Sequence, residues 1–138
     1  MLVEEIHSVV VATVDETGHP HTAVMDMMWE DGKTVYFLTA DFKPLYKRLK
    51  EDGRVALTGM TQGAGTMDRK SISLTGQVEW IGKEHLEELL KANPYMYEIY
   101  PTEEGRSHLQ VFRFKNAVGN FYYLTQLPPY QARFEIEG

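Results

Sequence analysis

Residues 8–15, Ser8-Val9-Val10-Val11-Ala12-Thr13-Val14-Asp15, form a β-branched apolar run without polar alternation. A strand of that kind offers no obvious face to water, so it predicts a sheet covered on both sides, as in the wall of a small barrel packed inside and out. Asp15-Glu16-Thr17-Gly18 supplies a turn. Residues 20–29 then predict a second strand, with His21, Ala23, Met25, Met27 and Trp29 on one face and Thr22, Val24, Asp26 and Met28 on the other. Asp31-Gly32 marks a hairpin into a third strand at 34–39.

A short amphipathic helix follows. Pro44 suits a first helical position, Leu45, Tyr46 and Leu49 form the apolar stripe, and Gly53 ends the element. Strands are expected again at 54–61 and 69–81, separated by a loop containing Gly63 and Gly65. A second helix at 83–92 carries Leu86, Leu89 and Leu90 and is broken by Asn93-Pro94. Residues 95–100 add a helical turn, and closing strands are expected at 108–115 and 119–125, before a Pro128-Pro129 tail. Six to seven antiparallel strands with short helices after the third and the fifth predict a mainly β fold, a small barrel, in a single domain over residues 1–138.

The absence of cysteine excludes disulfides, thiolate nucleophiles and Cys-ligated zinc or iron-sulfur sites. Twenty Asp+Glu against 14 Lys+Arg give a formal charge of -6, which argues against a general nucleic-acid binder. The basic minority is concentrated. Residues 43–70 hold seven of the 14 Lys+Arg and only Glu51, Asp52 and Asp68 as acids, a local balance of +4, so the remainder carries -10. No stretch approaches the roughly 20 apolar residues of a membrane span, and Met1-Leu2-Val3-Glu4-Glu5 is too acidic for a signal peptide, so the expectation is a cytoplasmic protein with no membrane partner.

The segment Phe37-Leu38-Thr39-Ala40-Asp41-Phe42-Lys43-Pro44 carries the chemistry. Lys43 precedes a proline, is biased away from helical backbone, and so caps the helix. A lysine beside the partial positive charge of a helix N-terminus conflicts with it unless an anion is present. Lys43, the open amides and the Thr39 hydroxyl therefore form a candidate phosphate cradle; a solvated Lys43 is the alternative on local physics. Lys47 and Lys50 fall on the same helical face as Lys43, and Lys50 reads as solvated. His19 and His21 read as rim histidines rather than metal ligands, and no metal site is expected. The methionines read as barrel core. Asp26, within a Met-rich strand, must either pair with a cation across a subunit interface or face water. Tyr122 and Tyr123 alternate, so one points outwards.

These pieces together carry a resemblance. Phe37-Leu38-Thr39, the helix and strand Tyr46-Lys47-Arg48-Leu49-Lys50-Glu51-Asp52-Gly53-Arg54-Val55-Ala56-Leu57, and Ala12-Thr13-Val14-Asp15 joined to Gly18-His19-Pro20 resemble the FMN-binding split β-barrel of the pyridoxamine 5'-phosphate oxidase-like superfamily over about residues 8–81. A chain of 138 residues offers little else to cover both faces of the 8–14 run, so a homodimer is expected, and the resemblance implies FMN in clefts at its subunit interface. It makes Lys43 the flavin-phosphate lysine, with Lys47 its competitor, and Leu38 and Thr39 the strand end that meets the phosphate or ribityl chain. His21, Thr22, Ala23, Val24 and Met25 would lie along the isoalloxazine. Where the family often has Arg three residues after the strand's Pro, this chain has Ala23, so another cation must substitute; Arg69 or Lys70 is expected to do so, with Ser71 as a polar flavin contact.

The implied function is that of a flavoprotein oxidoreductase, passing electrons or hydride through FMN from a nicotinamide-type donor to an unidentified small-molecule acceptor. The C-terminal Arg/His pattern of authentic pyridoxamine phosphate oxidases is missing, so that particular reaction is not implied. The sequence offers no evident general acid or base, so turnover itself stays open. Two alternatives stand beside it: a non-catalytic flavin-binding or storage module, and a haem- or deazaflavin-binding relative of the same fold, for which His19, His21 or His108 would have to be the haem ligand.

Overall fold

The computed structural model describes residues 2–61, 65–125, 127–128 and 130–137; Gly63 and Pro129, named above in a loop and a tail, lie outside the described residues. The strands are β1 (Ser8–Val14), β2 (Pro20–Asp26), β3 (Trp29–Glu30), β4 (Val35–Ala40), β5 (Arg54–Met60), β6 (Lys70–Gly82), β7 (Leu109–Tyr123) and β8 (Tyr130–Glu137). The helices are α1 (Pro44–Glu51), α2 (Leu86–Ala92), α3 (Met96–Ile99) and α4 (Glu103–Arg106). A single wide turn at Leu2–Ile6 precedes them. The strands form one antiparallel sheet in the order β2-β1-β5-β6-β7-β4-β3, with β8 paired to β7. This is a mainly β, split-barrel architecture, as expected.

Two apolar layers form on the sheet. Val9, Val11, Met25, Met27, Phe37, Leu49, Leu57, Leu74, Phe112 and Phe114 pack inside the barrel. On the outer side of β4 and β7, Tyr36, Leu38, Leu109 and Val111 pack against Leu89, Leu90 and Met96 from α2 and α3. All six residues of β4 are therefore buried.

Within one chain, β1 is covered on one face only. Val9, Val11 and Thr13 turn inwards, whereas Val10 is 43% exposed, so the strand alternates despite its uniformly apolar sequence. The 20–29 segment also differs. β2 ends at Asp26: the Met27 amide still donates to the His7 carbonyl in register, but the His7 amide turns away to the Leu2 carbonyl and the Met28 amide donates to the Tyr36 carbonyl. Met25 and Met27 keep the barrel face, but Trp29 leaves it and packs with Met28 on the helical side.

The two closing strands merge into the single 15-residue β7, and the tail becomes β8. Ala132, Phe134 and Ile136 alternate with exposed residues in β8, a period-2 pattern visible in the sequence. Gly119 lets this strand close over β7: a side chain there would collide with the Phe134 ring, which stacks on Phe121. Gly53 ends α1 as expected, with φ +77° and the Val78 carbonyl against the position a Cβ would occupy.

Candidate functional site

A cavity of about 450 Å³ opens between β2, the end of β4, the start of α1 and the α3 region. β2 contributes Ala23, Val24, Met25 and Asp26, and β4 contributes Leu38, Thr39 and Ala40. α1 presents Lys43, Pro44, Leu45 and Arg48. Met96, Ile99 and Tyr100 also line it, with Met28 and Leu109.

The cationic end follows from local sequence. Lys43 has extended backbone (φ -88°, ψ 143°), as the residue before a proline should, and occupies the cap of α1. No side chain caps this helix end and its first turn holds no acid, so its partial positive charge is not offset locally. Leu45 and Leu49 anchor the helix in the barrel core. With Leu45 fixed, Arg48 falls one turn on along the same side and enters the cavity wall, where its Nε donates to the Thr13 hydroxyl at 2.8 Å. Neither Lys43 nor Arg48 forms an ion pair among the described residues.

Of the residues expected at the site, Ala23, Val24, Met25, Leu38, Thr39 and Lys43 come together in this cavity. His21 and Lys47 do not. They line an adjoining groove with Asp15, Thr17, Arg48 and Glu51. His21 Nε2 lies 2.8 Å from Asp15 Oδ2. That contact, the Thr17 hydroxyl and the His19 amide hold the Asp15 carboxyl far below the ordinary carboxylate range. His19 is a rim residue, with Nδ1 2.8 Å from the Thr17 hydroxyl.

Thr22 points to the other side of β2, onto an open sheet surface it shares with Val10, Ala12, Val118 and Asn120. Lys70 and Ser71 begin β6, separated from β2 by β1 and β5 in the sheet. Lys70 Nζ sits 5.2 Å from the Tyr123 ring centroid. Within one chain, then, Lys70 and Ser71 do not meet the cavity; the cations that line it are Lys43 and Arg48. Lys50 is not simply solvated, since its Nζ lies 4.4 Å over the Trp80 ring. Tyr122 is the outward member of its pair, at 39% exposed.

The cavity wall also holds Asp26, a group that sequence reasoning placed differently. Asp26 already has partners within its own chain. Ser8 donates to its Oδ1 at 2.6 Å and the Tyr95 hydroxyl to its Oδ2 at 2.9 Å. His7 Nε2 lies 2.8 Å from the same hydroxyl. Burial and the neighbouring Asp26 carboxylate push Tyr95 well above the ordinary phenol range, which keeps it a protonated donor. These residues stand 18 and 69 positions from Asp26, and no motif joins them.

His108 is also outside the cavity, with Nδ1 2.8 Å from Asp41 Oδ1. Among the described residues no histidine lines the cavity, and no group of three or more His, Cys, Asp and Glu is arranged to hold a metal. No helix among them is long and apolar enough to cross a membrane.

Comparison with known proteins matches the family model described as pyridoxamine 5'-phosphate oxidase to residues 1–123. Among solved structures, a NimC/NimA family protein from Clostridium acetobutylicum is similar at 21% identity and TM-score 0.79, over 97% of this chain and 87% of that one. A haem-binding protein from Mycobacterium smegmatis is similar at 14% identity and TM-score 0.70, over 95% of this chain and 54% of that one. HutZ, the haem storage protein from Vibrio cholerae, is similar at 16% identity and TM-score 0.59, over 93% and 84%. No curated protein matches the chain.

Proposed function

Because the chain belongs to the pyridoxamine 5'-phosphate oxidase family, we propose that it is a cytoplasmic FMN-binding oxidoreductase whose cofactor lies in the 450 Å³ cavity. The observation that carries this reading is the polarity of that cavity. Lys43, Arg48 and the uncapped start of α1 line it together with Thr39, a donor set suited to a phosphomonoester. Met25, Leu38 and Leu45 continue as an apolar wall suited to a flat ring.

In this reading Lys43 and Arg48 bind the phosphate, and Arg48, tethered to Thr13, supplies the cation that Ala23 cannot. Lys47 is the nearest further cation, in the adjoining groove. When bound, FMN would supply hydride and electron transfer, with donor and acceptor small molecules. Val10 and Val24, 43% and 73% exposed, leave the outer surface of β1 and β2 apolar and open, which supports a homodimer formed through that face. A second copy is also the route by which Lys70 and Ser71 would reach a flavin.

The test is the visible spectrum of the purified protein, with mass identification of any released chromophore, followed by FMN and riboflavin titrations. FMN should bind more tightly than riboflavin. Lys43→Ala and Arg48→Ala should each weaken FMN by about tenfold or more, the equivalent of roughly 1.5–3 kcal/mol for a charge-assisted hydrogen bond, while leaving riboflavin unchanged. Equal affinity of the unmodified chain for the two flavins would remove the phosphate site.

Haem is the second reading, raised by the names of two structural neighbours. The cavity offers it no imidazole from its own chain among the described residues, which favours flavin. A Soret band lost on His108→Ala, His21→Ala or His19→Ala would reverse that preference. A deazaflavin, suggested by an F420 reductase of similar fold, would be distinguished by the mass of the released chromophore. Tight FMN binding without turnover by any pyridine nucleotide would indicate a storage module.

A further inference from the structure

We propose that His108 and Gln110 are positioning residues for the phosphate site: they hold the Asp41 carboxylate against β7 and so keep it from taking the place of a phosphate at Lys43 and the start of α1. The inference rests on the flavin reading and names what keeps its anion site free.

Asp41 lies two residues before Lys43 and is the only acid between Thr39 and Lys50. Two attractions draw it towards the helix. One is the Lys43 ammonium, which forms no ion pair among the described residues. The other is α1 itself, whose first turn holds no acid and whose start no side chain caps. Aspartate is among the side chains that best satisfy such an end, and a negative charge there is stabilised by the helix dipole. A carboxylate so placed would be an internal anion competing for the donors a phosphate needs.

The structure turns it the other way. Asp41 Oδ1 lies 2.8 Å from His108 Nδ1, and its Oδ2 is 3.4 Å from Gln110 Nε2. Because a carboxylate only accepts, Nδ1 must carry the proton, which the neutral Nδ1–H tautomer already provides; no imidazolium is required. The Gln110 amide is oriented in turn. Trp80 Nε1 can only donate, and it does so to Gln110 Oε1 at 2.9 Å, leaving Nε2 for Asp41. Register supplies the rest: Thr39 pairs with Gln110 and Ala40 with Leu109, and the Asp41 amide then donates to the His108 carbonyl at 2.8 Å. The Phe42 ring meets the His108 ring edge-on, with centroids 5.7 Å apart. Lys83, whose Nζ donates to the Ser107 and Leu109 carbonyls on either side of His108, adds a positive charge that acts on Asp41.

The experiment compares FMN and riboflavin affinities of His108→Ala, Asp41→Ala and the double variant, with a crystal structure of His108→Ala without flavin. The His108 side chain is 47% exposed, so its truncation opens no core cavity. His108→Ala should weaken FMN about three- to tenfold, the scale of a helix-end charge plus an exposed ion pair, and leave riboflavin unchanged. Its Asp41 carboxylate should have turned to Lys43 Nζ or the Leu45 amide. Adding Asp41→Ala should restore FMN affinity to within about twofold of the unmodified chain, because the competitor is gone. A double variant no better than His108→Ala overturns the proposal, since a mere tether of the loop would not be rescued by deleting its other half. Weaker FMN binding in Asp41→Ala alone, or an Asp41 still turned to Gln110 in His108→Ala, overturns it too. Equal affinity of the unmodified chain for the two flavins removes the phosphate site and this proposal with it, whereas retained discrimination with any of the other failures removes this proposal alone.

Discussion

β1 and β4 invert what their sequences suggest. β1, Ser8–Val14, is the more uniformly apolar, yet Val9 and Val11 are 2% exposed while Val10 between them is 43% exposed. β4, Val35–Ala40, contains a tyrosine and a threonine, yet every residue is buried. The difference lies in what the rest of the chain places on the outer face. α2 and α3 cover β4 and β7, whereas β1 meets the barrel core on one side and an open surface on the other. Side-chain apolarity licenses burial on two faces; only a second layer produces it.

The comparison breaks most sharply inside the barrel. Phe37→Ala, in β4 and 5.8 Å from Phe112 in a stacked pair, should lower the free energy of unfolding by about 3–5 kcal/mol in urea denaturation. Leu89→Ala removes a fully buried side chain from the helical layer and should cost about 2–5 kcal/mol. A loss below about 1 kcal/mol there would mean that the helices do not hold β4's outer face.

Tyr36→Phe is subtler. The Tyr36 hydroxyl donates to Asp31 Oδ2 at 2.7 Å. Partial burial pushes the Asp31 carboxyl up, but the Thr34 amide, the Tyr36 hydroxyl and the Lys33 amide outweigh it and lower it to about 2. A carboxyl lowered on folding stabilises the native state above its unfolded value of 3.8, and that contribution disappears as pH falls through about 2. Tyr36→Phe should therefore cost about 0.5–1.5 kcal/mol at pH 7, with the gap to the unmodified protein narrowing between roughly pH 4 and 2. A gap independent of pH would place the effect in packing alone.

The smallest effect on folding is expected from Val10→Asp. On an exposed face it should change chain stability by no more than about 0.5 kcal/mol. If a second copy covers that face, the same substitution converts a dimer to a monomer in sedimentation while thermal unfolding monitored at low concentration barely moves. A monomeric unmodified protein would show that the open face of β1 is simply solvated.

Much of the fold was legible because its signals are local. The Asp31-Gly32 hairpin, Pro44 at the start of α1, Gly53 at its end and the extended backbone of Lys43 each follow from steric preferences within a few residues. The phosphate end of the cavity was accessible by the same route, since Thr39 and Lys43 are four residues apart. β8 was legible too, in the alternation of Ala132, Phe134 and Ile136, but the adjacent prolines masked it as a tail.

By itself, the sequence determined the family, the elements from β4 through β6 in order, and the cationic residue that caps α1. Which strand face is covered, that Arg48 lines the cavity, and that Asp26 is held by Ser8, Tyr95 and, through Tyr95, His7 were decided only in three dimensions. Turn chemistry and helix caps act over neighbouring residues and can be read in order. Layer coverage and polar clusters join residues as far apart as positions 7 and 95, a pairing that no local preference encodes and that only the packed sheet brings about.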